Sequence, residues 1–245
     1  MEPKYTLEKI KFGTDEPTFK KAVALYEAGK VTQFKESIGV YSAVVQGGKP
    51  YRVSVEERQY DLGHCTCYLG ENDILCKHLV ALAIMAVQQG KPLGVSDKQA
   101  VGSPASSSCK GELNEEALRK IKKEITAALR YVKAYEGPSR TWFKYQDSLS
   151  EGCRHLSAIV SELPVSRQTA RVLVNLLLRL DKKLCRGGVD DSDGTVGNFM
   201  QELVDVLIEY AKVDPECIDT FDILMNKETC FGWEERLLRI ADERE

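Results

Sequence analysis

The sequence predicts an α+β protein: a small N-terminal module of a helix and a three-stranded sheet, then an all-α domain. Three observations carry this. Short alternating, β-prone runs fill residues 31–56, with Gly47-Gly48-Lys49 between the last two. A small-residue stretch, Val101 to Ser108, then interrupts the chain. Beyond it, apolar residues recur every three or four positions, the period of a helix with one buried face.

Taken in order, Thr14-Asp15-Glu16 followed by Pro17 is a helix start, and Gly29 is its natural stop. Phe19, Val23 and Tyr26 give that helix a buried face. Strands are expected at Val31–Lys35, Val40–Gln46 and Tyr51–Glu56, the last two joined as a hairpin by the glycine pair. Leu79 to Val87 is an unbroken apolar run that reads as a buried helix and closes the module, residues 1–95. Residues 96–111 read as a flexible linker, with Cys109 a free thiol, and residues 112–245 as the helical domain. Within that domain, helices are expected at Glu112–Glu136, Trp142–Leu163, Arg167–Cys185, Gly197–Lys212, Pro215–Asn226 and Trp233–Asp242, punctuated by Pro138, Pro164, Gly187-Gly188 and Pro215.

Composition bounds the function. The longest apolar run spans nine residues, far short of the roughly 20 that cross a bilayer, so no membrane partner is expected. Eight cysteines without a secretory leader argue against an extracellular disulfide framework. The expectation is a soluble, cytoplasmic, reduced protein.

The cysteines are not scattered. Cys65-Thr66-Cys67 is followed, after eight residues, by Cys76-Lys77-His78. On an extended strand Cys65 and Cys67 leave the same face and His64 leaves the other, which sets His64 aside as a ligand. The second pair precedes the apolar helix, whose N-terminal dipole favours thiolate over thiol. Three thiolates and an imidazole suit tetrahedral zinc, and a fully protein-filled sphere leaves no position for water or substrate. Cys65, Cys67, Cys76 and His78 are therefore the expected ligands of one structural Zn²⁺, with Lys77 placed to offset the site's negative charge. Such a small module is marginal on core burial alone, so metal binding is expected to decide whether it folds.

This CxC…CxH pattern resembles the SWIM-type zinc finger, found in bacteria, in helicase-like ATPases and in mutator-type transposases. The resemblance extends upstream through Tyr26-Glu27-Ala28-Gly29-Lys30-Val31, Ala43 to Gly47 and Tyr51 to Val55, covering residues 18–88. The chain is similar to stand-alone bacterial proteins of this type that carry a C-terminal helical region. The resemblance implies zinc on the same four residues and a role in binding DNA or proteins.

Charge is uneven. Residues 110–144 hold nine basic against five acidic residues, and 151–187 seven against three; from Gly188 onward the ratio is five to sixteen, a net of −11. Arg119-Lys120-Ile121-Lys122-Lys123 and Arg179 with Lys182, Lys183 and Arg186 form candidate phosphate-binding surfaces. The last three helices, which carry the acidic charge, are expected to pack against the helices of 112–186 as one domain. Aligning Gly194 with an EF-hand's invariant glycine puts Met200 where Glu is required, so Asp190–Gly194 reads instead as a helix-capping loop. Cys153 and His155 sit on different faces of a helix, and Trp142, Phe143 and Tyr145 read as core. With no Gly-rich phosphate loop ending in GK[ST] and no catalytic set, the chain is read as a non-enzymatic, zinc-binding interaction module. It is expected to bind nucleic acid, DNA or RNA, within a DNA-associated process. The alternative is a protein–protein adaptor that uses the finger and helical domain to hold a partner such as a helicase-like ATPase.

Overall fold

The computed structural model describes residues 2–225 and 227–243. The chain divides into two compact units, Met1–Val101 and Gly102–Glu245.

The first unit is α+β. Helices α1 (Leu7–Gly13) and α2 (Glu16–Glu27) lead into strands β1 (Val31–Ser37), β2 (Val40–Gln46), β3 (Pro50–Glu56) and β4 (Gly63–Cys65), then α3 (Tyr68–Glu71), α4 (Lys77–Gln88) and α5 (Val95–Lys98). Asp15 caps α2 by accepting a 2.9 Å bond from the Thr18 N–H, with Pro17 in the first turn as expected. The sheet is antiparallel in the order β1-β2-β3-β4. Alternation buries Tyr41, Ala43 and Val45 from β2 and Val53 and Val55 from β3 against α4. Helix α4 has no polar face: every residue from His78 to Ile84 is buried, between α2 on one side and the sheet on the other.

Two elements exceed the sequence expectation. Helix α1 precedes the predicted start, and β4 adds a fourth strand by pairing Cys65 with Val53 and His64 with Ser54. The β1–β2 register slips between Thr32 and Lys35, where Gln33 adopts φ 53°, a bulge that bends this edge.

The second unit is all-α. Helices α6 (Glu115–Ala128), α7 (Trp142–Glu162), α8 (Arg167–Arg186) and α9 (Thr195–Val213) are followed by a 3₁₀ segment (Pro215–Leu224) and α10 (Glu235–Asp242). One continuous apolar core joins them, including Leu149, Leu156, Leu173, Leu177, Leu207 and Tyr210. The last elements pack with the earlier ones in this single unit, through contacts of α8 with α9 and the 3₁₀ segment and of α10 with α9. Asn226, where the fifth helix was expected to end, lies outside the described residues.

Four expectations need correction. Residues 96–111 are not one free linker: Val95–Lys98 form α5 of the first unit, which runs to Val101, and residues 103–111 are bonded within the second. There Ala105 N–H donates to Ser161 Oγ (3.1 Å), Ser107 Oγ to the Leu163 carbonyl (2.7 Å), and Val165 N–H to the Cys109 carbonyl (2.7 Å). Helix α6 stops at Ala128, not Glu136, because side chains take the carbonyls beyond it. Ser148 donates to Tyr131, Lys183 to Val132 and Tyr145 to Lys133. The cysteines are not all free: Cys185 and Cys230, 45 residues apart, form a disulfide with Cα atoms 6.3 Å apart. Lastly, Phe143 is 76 % exposed instead of buried, although Tyr145 is in the core.

The Asp190–Gly194 loop caps a helix as expected. Asp191 accepts from the Val196 and Gly197 N–H groups (2.7 and 2.8 Å) at the start of α9, while Asp190 accepts from Trp142 Nε1 (3.0 Å). Its neighbours titrate apart. Hydrogen bonding, led by Ser192 and followed by Trp142, lowers the Asp190 pKa, whereas burial raises that of Asp191.

Candidate metal centre

The cluster is assembled by three short elements. Strand β4 delivers Cys65 to the inner face of the sheet and leaves His64 exposed on the outer one. Cys67 then caps α3, its sulfur accepting from the Gly70 N–H at 3.4 Å. Cys76 caps α4, and His78 lies in that helix's first turn. Gly70 lets α3 fold back on β4: a Cβ there would sit 2.4 Å from the Cys65 carbonyl oxygen, so any larger residue would push the two apart.

The four ligand atoms lie within 4.8 Å of one another, and all four residues are buried. His78 Nδ1 is 3.8 Å from Cys65 Sγ and 3.9 Å from Cys76 Sγ. Zinc bonds of ~2.3 Å to sulfur and ~2.0 Å to nitrogen imply tetrahedral S···N edges of about 3.5 Å. The donor set and spacing thus fit a four-coordinate metal, with Nδ1 the imidazole atom that faces it. Nε2 points away and, though buried, meets no hydrogen-bond partner. The ring is held instead by stacking on Tyr51 (centroids 4.4 Å apart), with Lys49 Nζ 5.7 Å from the Tyr51 centroid on its own account.

Electrostatics already favour a thiolate here. The Cys76 pKa is lowered, first by a hydrogen bond from the Cys65 thiol, then by His78 and the Leu79 N–H in the first turn of α4. Cys65 is driven upward by the same bond and by burial. The two sulfurs therefore share a proton that a divalent cation would displace.

Other candidates from the sequence fall outside this centre. Cys153 is buried, and burial pushes its thiol up to about 12, while His155 stacks on Tyr131. Cys109 is exposed and free. Lys77 is half-buried between two ligands. A second group brings Asp181, Cys185 and Cys230 together, with Asp181 Oδ1 accepting from the Cys230 N–H and Trp233 Nε1, both at 2.9 Å. Sequence reasoning missed it, since two of its members are an i, i+4 pair in α8 and the third is 45 residues away.

Among the described residues no helix is long and apolar enough to cross a membrane. No curated protein and no solved structure matches the chain. Residues 51–86, from β3 through the four ligands to near the end of α4, match the family model of the SWIM zinc finger.

Proposed function

We propose that the chain is a non-enzymatic interaction module serving a DNA-associated process, in which one structural Zn²⁺ holds the first unit and the second unit binds a partner protein. Cys65, Cys67, Cys76 and His78 Nδ1 would fill all four zinc positions, and the ion would supply cross-linking. The observation that carries the non-catalytic reading is burial: the ligands are 0, 7, 1 and 4 % exposed, so a substrate has no route to them.

The partner surface is read from the second unit. Its acidic C-terminal part packs with the basic helices yet leaves much of their charge uncovered. Lys110–Asp214 and Arg167–Asp219 pair across, but Arg119, Lys120, Lys122, Lys123 and Arg171 remain exposed. The adaptor reading takes precedence because part of this basic surface surrounds an apolar floor, described below. Direct nucleic-acid binding is the second reading, favoured by the Arg119, Lys120 and Lys123 cluster along one side of α6.

Affinity capture from host lysate, with and without nuclease, tests the choice. The adaptor reading expects a partner retained after nuclease treatment. Capture that disappears with nuclease, together with gel shifts that weaken steeply as salt rises, would transfer the function to nucleic acid.

A further inference from the structure

We propose that the groove between α6, α8 and the 3₁₀ segment is the docking site for an acidic amphipathic helix of a partner protein. This rests on the adaptor reading and names the chemistry of the segment that would be held.

The groove encloses about 870 Å³, and its volume lies within the second unit. Its floor is apolar: Leu118 and Ile125 from α6, Val172 and Leu176 from α8, and Ile223 from the 3₁₀ segment. Its rim is basic. Arg167, Arg171, Asn175 and Arg179 recur every fourth residue, so they form a line along one side of α8, and Lys122 of α6 also lines the groove. That line spans twelve residues, about 18 Å at the helical rise, which matches roughly three turns of a docked helix.

Charge complementarity selects the occupant. Four basic side chains line the groove against Glu112 and Asp219, although the whole chain carries a net charge of −3. Arg167 is partly engaged by Asp219 at 3.7 Å, and Arg179 donates to Thr126 Oγ1 at 3.1 Å, which fixes its guanidinium at the rim. Arg171, between them, is exposed. A floor of aliphatic side chains beneath cations calls for a ligand with an apolar stripe flanked by carboxylates, the pattern of an amphipathic acidic helix. Among the described residues the lining contains no aromatic side chain on which bases would stack, which disfavours a single nucleic-acid strand.

The test uses the full zinc-loaded chain and a fluorescein-labelled synthetic helix of four turns, with Leu on one stripe and Glu beside it. A scrambled peptide of the same composition and a DNA oligonucleotide of equal charge serve as comparators. Fluorescence anisotropy should show saturable binding of the amphipathic peptide, weaker by roughly tenfold for the scrambled one. Arg171→Glu should weaken it by a similar factor. Lys122→Glu should do the same from the other wall, and both variants should keep the wild-type circular dichroism and zinc content. Absence of saturable binding, or binding indifferent to both charge reversals, would overturn the proposal. So would tighter binding of the oligonucleotide with the same Arg171 dependence, or a dimer in sedimentation that Arg171→Glu abolishes, which would make the occupant a second copy. If the nuclease-resistant partner is still captured by Arg171→Glu and Lys122→Glu chains, the groove assignment fails while the adaptor reading stands. If no such partner is captured and the peptide does not bind, both fail.

Discussion

Each unit is tied by sulfur, but on different scales and for different reasons. In the first unit three cysteines and a histidine converge within fourteen residues, and the tie joins the edge strand β4 to the first turn of α4. In the second, Cys185 and Cys230 join the end of α8 to the approach to α10, at the edge of a core that is already continuous without them. A unit whose edge strand is joined to its buried helix by thiols depends on what binds them. A unit whose centre is aliphatic uses its sulfur link only to fasten a periphery.

The contrast is broken most forcefully by removing the metal. Chelation, or Cys76→Ser, should unfold the first unit and leave the helices of the second in place, since zinc in finger peptides contributes about 10–16 kcal/mol apparent. Amide NMR of the full chain would show it as collapse of the first unit's resonances alone, strands and helices together. His64→Ala, on the outer face of the same strand, should leave zinc content unchanged; loss of zinc there would point to the wrong ligand set.

Reducing the Cys185–Cys230 link comes next. Closing a loop of this length contributes about 2–4 kcal/mol by the chain-entropy account. Urea unfolding of the second unit, with and without reductant, should shift by that amount while zinc remains bound. A shift equal to that of metal removal would mean that the helical unit is no less dependent on its link than the finger.

The smallest effect concerns the loop that caps α9. The Asp190 pKa is lowered, so its contribution to stability is present above the unfolded value near 3.8 and fades as pH falls through the folded one. Asp191 is raised, so its contribution is present below 3.8 and is lost as pH rises through its folded pKa. Carboxyl NMR titration should find Asp190 below Asp191; the reverse order would mean that burial of Asp191 does not outweigh the bonds it accepts from the Val196 and Gly197 N–H groups.

The same scale difference explains what the sequence disclosed. The metal cluster was legible because its members are near neighbours in the chain, in two closely spaced pairs eight residues apart. Strands β1–β3 and helices α7–α9 were legible because their periods run long enough to count. Strand β4 has three residues, too few to display a period, and exists through its pairing with Val53 to Val55. The end of α6 was misplaced since Tyr131, Val132 and Lys133 look helical locally, and only distant donors on α7 and α8 decide that their carbonyls turn outward. The Cys185–Cys230 pair has no local signature at all. The groove was half visible: the basic residues could be counted, but not the apolar floor that lies among them.

The bonding of residues 103–111 bears on where the chain can be divided. Their composition invites a cut at Glu112, yet Gly111 N–H donates to the Val165 carbonyl, and Val165 N–H is satisfied by Cys109. A fragment beginning at Glu112 would strip both partners from Val165, a buried residue at the turn between α7 and α8. One beginning at Gly102 keeps the short parallel bridge of Lys110 with Val165 and the serine contacts to Ser161 and Leu163. The excisable piece therefore begins thirteen residues before α6, and its first ten residues act as a clasp.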